Sequence, residues 1–487
     1  MLIERRRYDI IRDMKTNHRN TLALALAGLG WATAPSIIAL ADGNPMQFPS
    51  YVQTVSAEFA NAQQANDAKL LVAPLPGGAS VACSCRWDDS TDAHLKKSAM
   101  MAEAGVKGTF YLTRRKNYAE TNAKKLMAAG HAIGNHTVSH KHMDAISDYA
   151  AFREIMDERI HLETVIGRTI TSYVAPFGWK RIDGDDETAN ELKRHMRSVL
   201  DSVVYGGHFV SQDGSPRWSR FDSSTWMWTN RFNADDRHPN RKQFVDGFTA
   251  KRAAARANGV PRVTLGTHSW CNDEGTANQG KWLKEFFLAP DAVQMNDWEY
   301  GAYRYSFLHG SVKKTGVAGN VATFEVKRYY PAFLGDEIPL SITFSDNPAS
   351  VKADSRAIAK GERNTWTLPH APARKMTQEI SCEFPGLAVA VEPNEANGDL
   401  SISLRNETGN DLSDVTVVAV LPPKWSRRRC VEMCGSIAGG ETRLVKFNGG
   451  EASGMSSKDD APYYPVSIDF SAGGVQHRVW HVADGKK

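Results

Sequence analysis

The sequence predicts an α/β domain followed by an all-β region. From Ala79 to about residue 310, short apolar runs alternate with amphipathic stretches, which is the pattern of repeated βα units. After Gly310, strand-like runs are set between clusters of Gly, Asn, Asp and Pro, which is typical of a β-sandwich. Polar or metal-capable residues directly follow several of the earlier runs. Because open α/β folds bind ligands at their strand ends, we expect a site there.

The chain has the composition of a globular protein. It contains 487 residues, of which 41% are hydrophobic and 23% are charged. Two or three well-buried cores are therefore expected, and wholesale disorder is excluded. The formal net charge of +4 is small for this length and indicates neither a nucleic-acid partner nor binding to an anionic membrane.

Residues 1–41 are predicted to be a signal peptide. Lys15 and Arg19 precede an apolar run that ends in Ala39-Leu40-Ala41, an Ala-x-Ala cleavage pattern. A retained membrane anchor is the alternative, because the run is just long enough to span a bilayer. Gly and Pro residues interrupt the run and favour cleavage. The mature chain is therefore expected to be secreted or periplasmic and to keep no stable membrane span.

The elements of the α/β domain follow in chain order. Residues 42–78 are rich in Ala, Asn and Gln and are predicted to be a helical lead-in or linker, and the domain itself is expected over residues 79–310. Short apolar runs predict strands at 80–85, 108–112, 132–134, 173–175 and 263–265. Amphipathic stretches predict helices over 96–104 and 122–129.

Residues 311–487 are predicted to be the β region. Strand-like runs between turn residues lie at 321–326, 338–344, 400–404 and 415–420. Turn sequences at 406–410, 421–425 and 439–442 resemble those of the immunoglobulin-like modules attached to bacterial carbohydrate-active enzymes. This resemblance implies an immunoglobulin-like sandwich after the α/β domain.

Two short segments offer the chemistry of a hydrolytic metal site. Asp88 and Asp89 close the first strand, and His136 and His140 follow the third. Histidines four residues apart share one face of a helix, so both imidazoles reach one ion, and a carboxylate completes an open set of three ligands. The other carboxylate is placed to accept a proton from water. Such histidine pairs are also common on surfaces, but their position at strand ends favours a metal site.

These motifs resemble the NodB-like polysaccharide deacetylases, carbohydrate esterase family four. The first motif of that family ends in Asp-Asp, as at Asp88 and Asp89, and the second is His-Ser/Thr-x-x-His, as from His136 to His140. The resemblance covers roughly residues 79–310.

Two later motifs of the family are matched less completely. The third, Arg-x-Pro-Phe/Tyr-Gly, is matched at Pro176-Phe177-Gly178. The late Leu-x-His motif is approximated by Leu265-Gly266-Thr267-His268, which is one residue longer.

The resemblance implies a distorted (β/α) barrel that removes acetyl groups, linked to nitrogen or oxygen, from a polysaccharide. Asp88 would be the base that activates water. His268 would be the acid that protonates the leaving group, with His208 and His238 as weaker alternatives.

A divalent metal is the implied cofactor. Asp89, His136 and His140 would hold it. Zn²⁺ is expected first, because it suits two imidazoles and a carboxylate, while Co²⁺, Ni²⁺ and Mn²⁺ fit the same ligands. A structural zinc site is disfavoured because only three ligands are evident.

The implied partner is an acetylated polysaccharide or oligosaccharide. Pro176, Phe177, Trp179 and Trp270 are expected to contact it. Trp87 is a further aromatic near the site, for which stacking on a sugar ring and burial in the core are the alternatives, burial being the more common for any one tryptophan.

The chain departs from the family pattern beside the base. Val174 stands where the third motif has Arg, so the cation that orients the base must come from elsewhere. Arg86, Arg181 and Arg220 are the candidates. The departure keeps open an alternative, in which the chain is a catalytically degenerate carbohydrate-binding protein.

Overall fold

The computed structural model describes the chain from residue 50 onward, with internal gaps. The described residues are 50–114, 117–177, 187, 194–195, 199, 209–210, 229–234, 237–329, 338–369, 378–394, 396–427, 429–451 and 463–484. They all belong to one compact unit, Met46–Lys487. The signal peptide predicted over residues 1–41 lies outside them. Within the described part, no helix combines the length and the apolar character needed to cross a membrane.

The described chain begins with two strands and a short helix. These elements are β1 (Ser50–Glu58), α1 (Ala62–Asp67) and β2 (Leu70–Val72). β1 pairs antiparallel with residues 321–329, and β2 with residues 342–344. Residues 42–78 were predicted to be a helical lead-in or linker, and this prediction is wrong for the residues that form β1 and β2. Alternate side chains of β1, such as Val55 and Ala57, are buried in a core that forms only with these distant residues.

A curled sheet of parallel strands forms the centre of the α/β domain. Its strands in chain order are β3 (Val81–Asp88), β4 (Thr109–Leu112), β5 (Ala132–Asn135), β6 (Ser172–Tyr173), β7 (Phe209–Val210), β8 (Asn230–Phe232), β9 (Arg262–His268) and β10 (Ala292–Gln294). The order across the sheet is β7-β6-β5-β4-β3-β9-β8, and β10 pairs with the start of β3. The predicted α/β class is confirmed, and the sheet forms a half-barrel.

Helices connect these strands and cover one face of the sheet. They are α2 (Ala93–Ala104), α3 (Lys124–Ala128), α4 (Asp148–Ile166), α5 (Arg241–Asn258), α6 (Asp273–Phe287) and α7 (Asp297–His309). A π-helical turn, Ala119–Ala123, leads directly into α3. Each of the last four helices is capped by a side chain that accepts a backbone N–H, a favourable arrangement at helix starts. The capping residues are Ser147, Asn240, Asn272 and Asn296.

The two faces of the sheet differ in character. One face packs on the helices in an apolar core, which includes Cys83, Cys85, Trp87, Phe232, Val263 and Leu265. Side chains alternate along a strand, so the intervening residues point to the other face, which we call the inner face. These residues are Ser84, Arg86 and Asp88 on β3, Arg231 on β8, and Thr264, Gly266 and His268 on β9. The inner face therefore brings charged side chains to the ends of the strands.

The β region contains two units with separate cores. β11 (Ser311–Ala318), β12 (Val321–Tyr329), β13 (Leu340–Phe344), β14 (Ser350–Ala353), β15 (Arg356–Ala357) and β16 (Trp366–Leu368) follow α7. They form two sheets with β1 and β2, in the orders β11-β12-β1-β14-β15 and β16-β13-β2. Their core also includes Tyr300 and Tyr303 of α7. This first β unit is therefore built onto the α/β domain.

The second β unit is made of the remaining strands. They are β17 (Gln378–Ser381), β18 (Leu387–Asn394), β19 (Asp399–Asn406), β20 (Leu412–Val420), β21 (Arg429–Ile437), β22 (Thr442–Phe447), β23 (Tyr463–Ala472) and β24 (Val475–Asp484). Sheets in the orders β17-β24-β23-β20-β21 and β18-β19-β22 enclose a core of their own. The single β-sandwich expected over 311–487 is therefore replaced by two units, because the first recruits strands from before the α/β domain.

A buried ionic network joins the second β unit to α4. Glu163 of α4 accepts hydrogen bonds from Arg159 Nε at 2.8 Å and from Trp480 Nε1 at 2.7 Å. Arg478 donates from Nε and Nη2 to the two carboxylate oxygens of Asp469, at 2.7 and 2.8 Å. Its Nη1 lies 3.5 Å from Glu163 Oε2. All of these residues are buried. The second β unit therefore docks on the α/β domain through paired charges.

We expect Arg478→Ala to destabilise the protein by about 3–5 kcal/mol, because it leaves Asp469 and Glu163 buried without this cation. The measurement is the shift of the guanidinium-chloride midpoint. Arg405→Ala is the matched control, since the Arg405–Glu407 pair is exposed and such pairs contribute at most about 1 kcal/mol. Equal shifts in the two variants would contradict a stabilising role for the buried network.

Candidate active site

The end of β3 turns two consecutive aspartates toward the same group of histidines. Asp88 is buried at the last position of β3, and Asp89 adopts a left-handed conformation with φ of 72°. In a regular strand these side chains would point to opposite faces, so the turn is what brings them together. His94 of α2 supports the turn, with its Nε2 3.2 Å from the Asp88 carbonyl oxygen. Burial lowers the pKa of His94 to about 4, so the neutral ring can donate to that carbonyl.

His136 and His140 lie in the loop after β5. The prediction that they share a helical face is wrong, because the loop contains left-handed residues at Thr137 (φ 71°) and His140 (φ 55°). Thr137 N donates to Asn135 Oδ1 at 2.9 Å, and His140 N donates to Thr137 Oγ1 at 3.2 Å. This hydrogen-bonded turn, rather than a helix, directs both imidazoles toward Asp89.

Asp89, His136 and His140 converge as a possible ligand set. Their ligand atoms all lie within 4.8 Å of one another. Oδ1 of Asp89 is 2.9 Å from His140 Nε2 and 3.6 Å from His136 Nε2.

The protonation of His136 suits a metal ligand. Nδ1 of His136 lies 2.7 Å from the carbonyl oxygen of Val174 and donates to it, which leaves Nε2 as the lone-pair nitrogen facing the set. Burial also lowers the pKa of His136, which favours the neutral ring that metals require. The donor set therefore fits a divalent metal.

Arg86 supplies the cation beside Asp88. Its Nη2 lies 2.8 Å from Asp88 Oδ2, and both side chains are buried. Burial alone would raise the pKa of Asp88, but Arg86, followed by His136 and Arg231, outweighs burial and holds that pKa below its usual value. Asp88 Oδ1 has no hydrogen-bond partner among the described residues. Asp88 is thus an ionised carboxylate with one oxygen held and one available.

His268 lies on the β9 side of the aspartates, opposite the β5 side from which His136 and His140 come. β9 pairs with β3 in parallel register, so His268 is the neighbour of Asp88. Its Nε2 is 3.8 Å from Asp89 Oδ2, and its ring stacks on Trp270 at 4.1 Å between centroids. The longer late motif therefore forms a regular strand, and the structure brings His268 to the candidate site.

Two exposed aromatic rings border the site. Trp270 is 48% exposed and Phe177 is 42% exposed. Phe177 stacks on His142 at 3.8 Å and meets His140 edge-on at 4.7 Å. Pro176, by contrast, is buried. Among the described residues bordering the site, Phe177 and Trp270 therefore keep part of their ring surface open to solvent.

Of the two alternatives for Trp87, the structure shows burial in the core. Strand alternation places it on the helix-covered face, where it is fully buried. Its Nε1 donates to Met101 Sδ at 3.3 Å, and Lys97 Nζ lies 5.1 Å from its ring centre.

Several predicted residues are not part of the described site. Trp179, Gly178, His208, Arg181 and Arg220 lie outside the described residues. His238 is exposed in the segment before α5.

Sequence reasoning missed Arg231 and His94. Arg231 lies on a strand of three residues, too short for its alternation to be recognised, and His94 acts through a backbone carbonyl. The available signal was the apolar Phe232 beside Arg231, which places the two side chains on opposite faces.

A comparison with protein families matches the part of the chain that contains the two aspartates and the two histidines. Residues 84–196 match the family model described as polysaccharide deacetylase, and no curated protein matches the chain.

Solved structures similar to the chain cover less than half of it. One is the catalytic domain of a peptidoglycan N-acetylglucosamine deacetylase from Eubacterium rectale, with 13% identity, 46% of this chain and 94% of that chain covered, and a TM-score of 0.31. Peptidoglycan deacetylase PdaC from Bacillus subtilis has 16% identity, coverages of 46% and 89%, and a TM-score of 0.29. A family 4 acetyl xylan esterase from Clostridium thermocellum has 16% identity, coverages of 44% and 87%, and a TM-score of 0.28. The assignment rests on the matched segment and its motifs: the chain carries a NodB-like polysaccharide deacetylase domain and is a carbohydrate esterase.

Proposed function

We propose that this protein is a metal-dependent hydrolase that removes acetyl groups, linked to nitrogen or oxygen, from a polysaccharide. The observation that carries the proposal is that two adjacent carboxylates have different partners. Asp89 faces His136 and His140, while Asp88 is held by Arg86 with one oxygen available. One group is thus placed to bind a metal and the other to move a proton.

Asp89, His136 and His140 would hold the metal. When bound, a divalent ion such as Zn²⁺, or Co²⁺, Ni²⁺ or Mn²⁺, supplies a Lewis acid for the acetyl carbonyl.

Asp88 and His268 perform the proton transfers. As water attacks the acetyl carbonyl carbon, Asp88 Oδ1 accepts the proton that water loses. The bond from that carbon to the sugar nitrogen or oxygen then breaks, and His268 donates a proton to the departing atom. The products are acetic acid, which ionises to acetate, and a free amine or hydroxyl. Asp88 then releases its proton to water and His268 takes one up, which restores both groups. The parallel register of β3 and β9 makes His268 the neighbour of Asp88, which supports assigning the two proton transfers to this pair.

The substrate is proposed to be an acetylated polysaccharide or oligosaccharide. Phe177 and Trp270 offer exposed rings on which sugar faces can stack, and each ring is itself packed on a site histidine. Trp179 and Pro176 were also predicted to contact substrate; the first lies outside the described residues and the second is buried.

The decisive experiment measures acetate release from a panel of N- and O-acetylated glycans, with and without a chelator. We expect release from at least one glycan, its loss with chelator, and its return on adding a divalent metal. Binding without release from any glycan would instead support the degenerate carbohydrate-binding alternative that Val174 raised. Release that resists chelation would contradict the metal requirement.

Arg86→Gln is expected to move the acid limb of the pH–rate profile to higher pH. Asp88 acts as a base only when ionised, so kcat/KM falls as pH drops below its pKa. Without the cation, burial would raise that pKa. Arg86→Lys keeps the charge and should shift the limb less. An unchanged limb in Arg86→Gln would show that Arg86 does not tune the base.

We also propose that residues 378–484 form an immunoglobulin-like accessory sandwich and that the mature protein is secreted or periplasmic. The facing sheets around one core support the first proposal. The Ala39-Leu40-Ala41 pattern supports the second, and N-terminal sequencing of the mature protein tests it.

A further inference from the structure

A glycine on β9 makes room for an arginine on β8. A Cβ atom on Gly266 would lie 2.3 Å from Arg231 Nε and 2.8 Å from its Cδ, so any larger residue would displace this side chain. Arg231 Nη2 donates to the Gly266 carbonyl at 3.1 Å. The guanidinium therefore lies across Gly266. It fits there because glycine has no side chain to occupy that space.

Strand register places this arginine on the inner face. Arg231 pairs with Thr264 on β9, and its neighbour Phe232 is buried in the core on the helix-covered face. Gly266, two residues further along β9, pairs with Arg86 on β3. Arg231 itself stands beside Thr264, and its side chain reaches forward to Gly266, which has Arg86 on its other side. The guanidinium of Arg231 therefore lies at the row one step below that of Asp88 and His268.

The same geometry explains the unusual late motif. In the pattern Leu-x-His, leucine and histidine are two residues apart and share one face of a strand. Here the residue two before His268 is Gly266, while Leu265 is buried in the core on the opposite face. The inner-face position that the motif gives to leucine is thus empty of a side chain, and Arg231 from the neighbouring strand fills it.

We propose that Arg231 is a positioning residue for deacetylation, and that the positive charge of its guanidinium, rather than its volume, is what the reaction needs. This inference rests on the proposed function. Its guanidinium is bonded to the Gly266 carbonyl, two residues before His268 on the inner face, and would hold a second cation beside the row of Asp88 and His268.

A volume-swap experiment tests the charge directly. Arg231→Ala should lower kcat by about 10- to 100-fold, because a small misplacement of a catalytic group can cost about 100-fold. KM should change much less, because Arg231 is not assigned a substrate contact. The double variant Arg231→Ala/Gly266→Leu refills the space without charge and should remain as slow as Arg231→Ala. Arg231→Lys should recover most of kcat.

Restoration of wild-type kcat by Arg231→Ala/Gly266→Leu would overturn the proposal, since it would show that Arg231 only fills space. Thermal unfolding of each variant checks folding, and Arg231→Gln serves as the neutral variant if Arg231→Ala does not fold. Wild-type acetate release is measured on the same glycan. Its absence would count against the proposed function, whereas equal kcat in wild type and Arg231→Gln would overturn only the role of Arg231.

Discussion

Asp88→Asn is expected to lower acetate release by about 10²- to 10⁴-fold, which is the usual contribution of a general base. The amide keeps the shape of the carboxylate but cannot take a proton from water. The three groups assigned to the metal, Asp89, His136 and His140, are unchanged. We therefore expect the variant to bind metal as the wild type does, and metal content measured beside acetate release checks both statements.

The variant also leaves Arg86 buried without its carboxylate, which is itself destabilising. Asp88→Asn/Arg86→Gln also removes this buried cation and is the control for folding. A folded double variant that still releases no acetate assigns the loss to the missing base. Undiminished release from Asp88→Asn would remove Asp88 from the mechanism.

His136→Ala is expected to abolish both tight metal binding and metal-dependent activity. Losing one of three protein ligands should weaken metal affinity by more than the roughly 10- to 100-fold that loss of an outer partner costs. A bound metal at 100 times its Kd stabilises a protein by about 2.7 kcal/mol. The rise in Tm on adding Zn²⁺ should therefore be seen in wild type and be lost in the variant.

His142→Ala is the matched control for this experiment. His142 lies two residues after His140 and stacks on Phe177, but it is not among the converging ligand atoms. We expect its Tm to rise with Zn²⁺ as in wild type. An undiminished rise in His136→Ala would exclude His136 as a ligand.

The local patterns that sequence predicted well are those that depend on neighbouring residues. Apolar runs located β3, β5 and β9 to within a few residues, because a buried parallel strand needs continuous apolar or small side chains. The sequence also predicts Arg86 as one of three sources of the cation beside Asp88, and the structure pairs the two, since residues two apart on a strand share a face.

Patterns that depend on distant residues were not predicted. β1 looked like part of a helical lead-in because its partners, β12 and β14, follow the whole α/β domain. The spacing of His136 and His140 suggested a helix, but left-handed residues in a loop give the same convergence. The pairing of β1 depends on strands far away in the chain. The turn after β5 is local, but Thr137 is β-branched and residues of that type rarely adopt the left-handed conformation, so the sequence did not signal it.

The sequence by itself determined which chemical groups are present: a pair of aspartates, two histidines four apart, a further histidine on a later strand, and a valine where the family has arginine. Only the tertiary structure decided which of these groups lie next to one another. Strand pairing set His268 beside Asp88 and laid Arg231 across Gly266. The physical reason is that charge and proton transfer act over a few ångströms in space, and register between strands far apart in the chain fixes those distances.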